Sequence, residues 1–168
     1  MLKTPRLLIC PLNSSQLFQY LACNGSLERD LGLKPAARTI PDALKEALES
    51  AIIPLVLDKS KNYLYSTLWT GILKSENCMV GELCMMGDPN AAGEVEIGYG
   101  TYPEYQGRGL MTEFIQGMKA WFASQPNVKS ILASTEKTNI ASRRVLEKNQ
   151  FFQVGEDNDL LHWKLINT

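Results

Sequence analysis

Apolar positions along this 168-residue chain repeat with two different periods, and the places where one gives way to the other mark its elements. Val95, Ile97 and Tyr99 alternate with Glu96, Gly98 and Gly100 in the two-residue period of a half-buried strand, which Pro103 ends. After Gly109 the period lengthens: Leu110, Met111, Phe114, Ile115, Met118 and Phe122 fall three and four apart, an amphipathic helix that stops before Pro126. Earlier in the chain, Arg6-Leu7-Leu8-Ile9-Cys10 lies between Pro5 and Pro11 and suits a first strand near a sheet edge. Ser14-Ser15 offers an N-cap to a helix carrying Leu17, Phe18, Tyr20 and Leu21, which ends around Asn24-Gly25. Residues 26–38 read as irregular. Thr39-Ile40-Pro41-Asp42 has the shape of a capping box, and Ala43, Leu44, Ala47, Leu48, Ala51 and Ile52 form a helical stripe that Pro54 interrupts.

Residues 62–73 and 78–86 read as two antiparallel strands joined by Lys74-Ser75-Glu76-Asn77, and residues 88–93 as a loop. Residues 128–135 form a further strand and 139–148 a helix. Residues 151–155 and 161–166 bracket Glu156-Asp157-Asn158-Asp159 as a closing hairpin. The order is strand, helices, three strands, helix, strand, helix, two strands: a mixed α/β arrangement without internal repeat or linker, expected to be one domain, 1–168.

Composition changes this picture little. Hydrophobic content is 45%, net charge is −1 and the basic residues are dispersed, so no footprint for nucleic acid stands out. No run of about 18 apolar residues suggests a membrane span or an export signal, and the expected location is cytoplasmic. Cys10, Cys23, Cys78 and Cys84 have no C-x-x-C spacing and His162 is the single histidine, so a metal site is not expected and the thiols should be reduced. Cys78 and Cys84 read as small core residues of a hairpin, and His162 as an exposed strand residue.

Chemistry concentrates between the central strand and its helix. A helix start leaves backbone N–H groups without partners and carries partial positive charge, so Gly107 and Gly109 there would let a phosphate approach the bare backbone. The turn reads as a diphosphate cradle. A dinucleotide-binding G-x-G-x-x-G does not fit, because Thr112 stands at the third glycine.

Gln106-Gly107-Arg108-Gly109-Leu110-Met111 resembles the Q/R-x-x-G-x-G/A signature of the GNAT acyltransferase superfamily, with Met111 where Gly or Ala is usual. A second anchor, Asn139-Ile140-Ala141-Ser142 through Leu146-Glu147-Lys148-Asn149-Gln150-Phe151, is similar to the N-x-x-S-x-x-x-L-E-K-x-G-F helix of the branch holding the ribosomal-protein serine/alanine N-acetyltransferases, with Gln150 in place of the glycine. The resemblance implies a mixed, mostly antiparallel six- to seven-stranded sheet with helices on both faces. It also implies a splay between the strands ending near Thr101 and Thr135, where the pantetheine arm of acetyl-CoA would lie.

By that resemblance, Tyr99, Gly100 and Thr101 would pair with pantetheine through their backbones, and Gln106, Gly107, Arg108, Gly109 and the amides of Leu110, Met111 and Thr112 would hold the diphosphate. Asn139 would cap its helix and bond the pantetheine amide, and Ser142 would face the sulfur. Many relatives place a tyrosine acid four residues beyond Ser142; Leu146 stands there, which leaves Ser142 or water as proton donor. Glu96, and after it Glu136, are the candidates for general base, each alternatively a solvated carboxylate. Gln150 leaves Asn149 to take the left-handed cap. The implied function is acetyl-CoA-dependent N-acetyl transfer, directly and through a ternary complex, to an amine: a protein N-terminus or a small molecule. The rival is a non-catalytic acyl-CoA-binding or sensing module. Acetyl-CoA and the amine are the expected partners, with no nucleic acid or membrane, for a monomer or homodimer. The acidic closing hairpin and residues 26–38 would flank the acceptor entrance.

Overall fold

A computed structural model describes residues 1–36 and 38–167. Strands β1 (Leu2–Lys3), β2 (Leu7–Pro11), β3 (Leu68–Leu73), β4 (Cys78–Met85), β5 (Glu94–Thr101), β6 (Ser130–Glu136), β7 (Phe152–Glu156) and β8 (Leu160–Ile166) join in one sheet, in the order β1-β2-β3-β4-β5-β6-β8-β7. Every ladder is antiparallel except that of β5 with β6. The α/β class and the antiparallel bias agree with the sequence reading. The strand count exceeds six or seven because Leu2 and Lys3 pair with Ile9 and Leu8, an edge too short to leave a period in the sequence.

The helices are α1 (Ser14–Ala22), α2 (Ser26–Asp30), α3 (Asp42–Ala47), α4 (Ile53–Leu57), α5 (Leu110–Ala123) and α6 (Ile140–Lys148). Among the described residues no helix is long and apolar enough to cross a membrane. Helix α5 buries Leu110, Met111, Phe114, Ile115, Met118, Trp121 and Phe122, the expected stripe with one tryptophan added. Two glycines let it lie close to the sheet. A Cβ on Gly71 would stand 2.7 Å from the Phe114 ring, and one on Gly117 would stand 2.7 Å from Thr4 and 2.8 Å from Ile9. Trp121 also packs at 5.1 and 5.3 Å, centroid to centroid, against Trp69 and Tyr65. Thr70 and Glu82 are register partners, one residue out of phase with Gly71, and so point to the opposite face.

Several local readings change. Asn13, not Ser14 or Ser15, caps α1, with Gln16 completing a reciprocal capping box. Residues 39–42 form no capping box: α3 starts at Asp42 behind Pro41, without a side-chain cap. Pro54 does not break the following helix, because a π turn at Leu48–Ile52 leads into α4, and the wider turn carries the ring clear of the carbonyl it would otherwise strike. Part of the stretch read as irregular is helix α2. Residues 62–67 are not strand; Tyr63–Tyr65 is a 3-10 turn and β3 starts at Leu68. Gln150 itself takes the left-handed position after α6, at φ 68°, while Asn149 stays at φ −91°. Asn149 is buried and ties α6 to α5, its Nδ2 donating to the carbonyls of Val145 and Thr112 at 2.9 and 3.2 Å.

Candidate functional site

Strands β5 and β6 start side by side and then part. Their ladder closes with the pair Ile97–Ala133, yet β5 continues to Thr101 and β6 to Glu136, so the last residues of each have no partner across the gap. The carboxyl ends of neighbouring parallel strands thus frame an opening, and the starts of α5 and α6 face into it. Tyr99, Gly100 and Thr101 of β5, the turn at Gln106, Gly107 and Gly109, the first turn of α5 and Asn139 and Ser142 of α6 line one cleft of about 530 Å³.

The turn is held in an unusual backbone shape. Gly107 and Gly109 sit at φ 73° and 71°, where a Cβ would be strained, and Gly109 is the N-cap of α5. The first intrahelical bond runs from Glu113 N to Gly109 O at 3.2 Å. The amides of Leu110, Met111 and Thr112 therefore have no backbone partner within the helix. Met111 buries its side chain in the core, which leaves its amide free of the side chain that replaced a glycine.

Arg6, a residue the motif reading passed over, fixes this turn from the other side. Its Nη1 and Nη2 donate to the carbonyls of Arg108 and Gly109 at 2.9 and 3.3 Å, and its Nε donates to Glu113 Oε2 at 2.6 Å. Glu113 Oε1 also accepts from Thr4 Oγ1 at 2.6 Å and from the Arg6 amide at 2.7 Å. Partial burial opposes ionisation of Glu113, but these donors and the Arg6 charge outweigh it and hold the carboxyl below its ordinary value. Arg108, expected at the phosphate, points elsewhere: it pairs with Glu76 at 2.7 Å, lies 5.3 Å over the Tyr105 ring and does not line the cleft. Gln106 lines the cleft and donates through Nε2 to Thr101 O at 3.2 Å.

Across the opening, Asn139 caps α6 by accepting from Ser142 N at 3.0 Å. Ser142 Oγ lies 2.8 Å from the Tyr99 hydroxyl, which also donates to Ser142 O at 3.3 Å. A tyrosine hydroxyl from β5 thus stands beside Ser142, while Leu146 is fully buried in the core. Burial raises the Tyr99 pKa to about 12, the Ser142 hydrogen bond working the other way, so the phenol keeps its proton at neutral pH.

The two carboxylates favoured from sequence do not line this cleft. Glu96 is exposed, pairs in register with Leu132 where the β5–β6 ladder is still closed, and accepts from Ser134 Oγ at 3.2 Å. Ser134 Oγ lies 3.1 Å from His162 Nδ1, and His162 Nε2 lies 3.2 Å from Asp157 Oδ2. Glu96 thus begins a polar row across the sheet. Glu136 is exposed at the end of β6, opposite Leu160. Glu82 is different. It is 8% exposed on β4, in register with Gly100, and its Oε1 lies 3.0 Å from where a Gly100 Cβ would be. The signal in the sequence was a lone carboxylate inside the apolar run of residues 78–86.

A family model described as an acetyltransferase (GNAT) domain matches residues 6–151. The chain is 30% identical over 95 residues to the uncharacterized N-acetyltransferase YjdG of Bacillus subtilis, a match spanning 56% of each protein. Among solved structures it is similar to the ribosomal-protein-S5-alanine acetyltransferase of Vibrio fischeri, at TM-score 0.68 and 19% identity, over 98% of this chain and 95% of that one. It is also similar to RimL, a ribosomal L7/L12 α-N-protein acetyltransferase solved with coenzyme A, at TM-score 0.67 and 16% identity, over 97% and 95% of the two chains.

Proposed function

This chain belongs to the GNAT acetyltransferase family, and from that premise we propose that it is an acetyl-CoA-dependent N-acetyltransferase that passes the acetyl group directly to an amine. The observation that carries the reading is the pairing of a parted β5–β6 ladder with three unpartnered helix-start amides and a tyrosine–serine hydroxyl pair around one cleft. The amides of residues 110–112 would hold the diphosphate, because helix starts favour anions and the glycines leave the backbone bare. Asn139 and the backbone of Tyr99 to Thr101 would orient the pantetheine arm in the gap. The thioester supplies an activated acetyl carbonyl, so no covalent enzyme intermediate is needed. Tyr99, protonated and hydrogen-bonded to Ser142, would give the departing sulfur its proton.

The acceptor is a protein N-terminus or a small-molecule amine; the neighbours named for ribosomal proteins motivate the first. Thermal unfolding with acetyl-CoA at one hundred times its Kd should show a stabilisation of about 2.7 kcal/mol. Gly109→Val, which forces a branched side chain to φ 71° at the helix start, should remove that stabilisation while circular dichroism stays that of the parent. A folded variant that binds acetyl-CoA like the parent would show that the diphosphate lies elsewhere. Binding without thiol release from any amine would instead mark an acyl-CoA-binding module.

A further inference from the structure

A general base for amine acetylation must reach the attacking nitrogen on the side of the gap away from the departing sulfur, and it must be basic enough to hold a proton at working pH. Glu96 fits poorly on geometry, since the sheet beside it is still closed. Glu82 lies across from Gly100, beyond the last β5–β6 pair, on the strand that stays bound to β5 out to Thr101. Gly100 lines the cleft, and the missing side chain there is what gives the Glu82 carboxylate its place: its Oε1 fills the position a Cβ would approach. Tyr99 points to α6 and Gly100, the next residue, opens to the other face, so the two groups address the gap from opposite sides.

The carboxylate has the marks of a group kept for a ligand. Its Oε2 is fully buried and has no hydrogen-bond partner among the described residues, and the same holds for the Tyr102 hydroxyl near it. A buried carboxylate oxygen without a partner is costly in a fold that could have placed an apolar residue there. Burial pushes its pKa up to about 7; the Tyr102 and Tyr20 hydroxyls and the Arg38 guanidinium, which face it from close range, pull only partly the other way. Arg38 is itself paired with Glu28, and Cys84, two residues along β4, is a thiol whose pKa is raised chiefly by burial and further by Glu82.

Resting on the N-acetyltransferase reading, we propose that Glu82, with Tyr20 and Tyr102 beside it, forms the acceptor-amine subsite and takes the amine's proton. As nitrogen bonds to the acetyl carbonyl carbon, the carbon–sulfur bond breaks; the proton shed by nitrogen goes to Glu82, and the thiolate takes one from the Tyr99–Ser142 pair. Atoms and charge balance without another reactant. A carboxylate beside Gly100 at the edge of the cleft suits an acceptor that is a primary amine.

The test uses the full chain, acetyl-CoA and a panel of primary amines that includes peptides beginning with Ser or Ala, with thiol release as readout. Glu82→Gln should lower kcat about 10²-fold or more, leave the acetyl-CoA Kd unchanged, and abolish the acidic limb of the parent's pH–rate profile near pH 7. Glu82→Asp should restore part of the rate and the limb. Stability gives a readout that needs no turnover. A carboxyl raised in the folded state favours folding most below its unfolded pKa and loses that contribution as pH rises through about 7, so the Tm of Glu82→Gln relative to the parent should climb between pH 4.5 and 8. Parental kcat and an unchanged pH profile in Glu82→Gln would overturn the assignment and leave the N-acetyltransferase reading standing. A parent that binds acetyl-CoA but transfers to no amine would overturn both.

Discussion

Tyr99 and Ser142 show how one hydroxyl conditions another. They are 43 positions apart in sequence and 2.8 Å apart in space, and the pair closes the side of the cleft formed by α6. A hydroxyl whose pKa is raised to about 12 by burial stays protonated through the neutral range, so its proton is in place when negative charge develops on the sulfur leaving a thioester. Tyr99→Phe should therefore lower kcat about 10²-fold while the acetyl-CoA Kd holds, since the donor acts in the transition state. Ser142→Ala should cost less, because Tyr99 keeps its own proton but loses a partner. The double variant should be little slower than Tyr99→Phe alone, as expected for residues acting as one unit. Stopped-flow thiol release under chemistry-limited conditions reads all three, and strictly additive losses would mean that the two hydroxyls act separately.

At the scale of elements, the start of α5 is shaped from outside itself. Glu113 in its first turn gathers Thr4 and Arg6, and Arg6 in turn holds the carbonyls of Arg108 and Gly109. With those carbonyls occupied toward Arg6, the following amides are left to the cleft. Glu113→Gln keeps the shape but loses the charge, and should destabilise by about 1–3 kcal/mol, as for a hydrogen bond to a charged group. It should also weaken acetyl-CoA binding, because the turn loosens. The pH dependence follows from the direction of the shift. A carboxyl held below its ordinary value contributes stability that is present above its unfolded pKa, about 4.3, and lost as pH falls through the lower folded value. Chemical denaturation at pH 7 should thus separate parent and variant, and the difference should shrink at acid pH; a constant gap would assign the effect to packing. Elsewhere, Gln150 takes the left-handed backbone position where a glycine was expected, and its side chain accepts from Lys119 Nζ at 3.1 Å.

On the scale of the whole molecule, the face of the sheet opposite α5 carries a buried polar group of a kind that a small core seldom tolerates. Arg38 and Glu28 form an ion pair with side chains only 3% and 4% exposed, and Arg38 also lies 4.6 Å over the Tyr20 ring. The pair links α2 and the segment before α3 to the sheet residues around Glu82. Removing one charge leaves the other buried, so Arg38→Met should cost about 3–5 kcal/mol. Replacing both, as Glu28→Gln with Arg38→Met, should recover most of that loss, since desolvation of a buried pair consumes much of its Coulombic gain. Urea denaturation of the single and double variants gives the coupling; equal destabilisation in both would place the cost in lost packing of Arg38 against Tyr20.

What the sequence determined by itself was local or periodic. The change of period at Gly109 located the end of the central strand and the whole of α5, and the glycine turn could be read as a bare helix start because its φ values and free amides depend on the residues beside it. Asn139 as a cap was legible for the same reason. The gap itself needed the tertiary structure, because alternation assigns a residue to a face and says nothing of where a ladder ends. Only cross-strand register put Glu82 over Gly100, and only the return of α6 onto β5 joined Tyr99 to Ser142. Arg108 lay inside the motif and was assigned to phosphate, yet a carboxylate on the β3–β4 turn and a nearby ring draw it away. Side-chain direction for a long, flexible, charged residue follows the neighbours that folding brings to it, and those neighbours are distant in the chain.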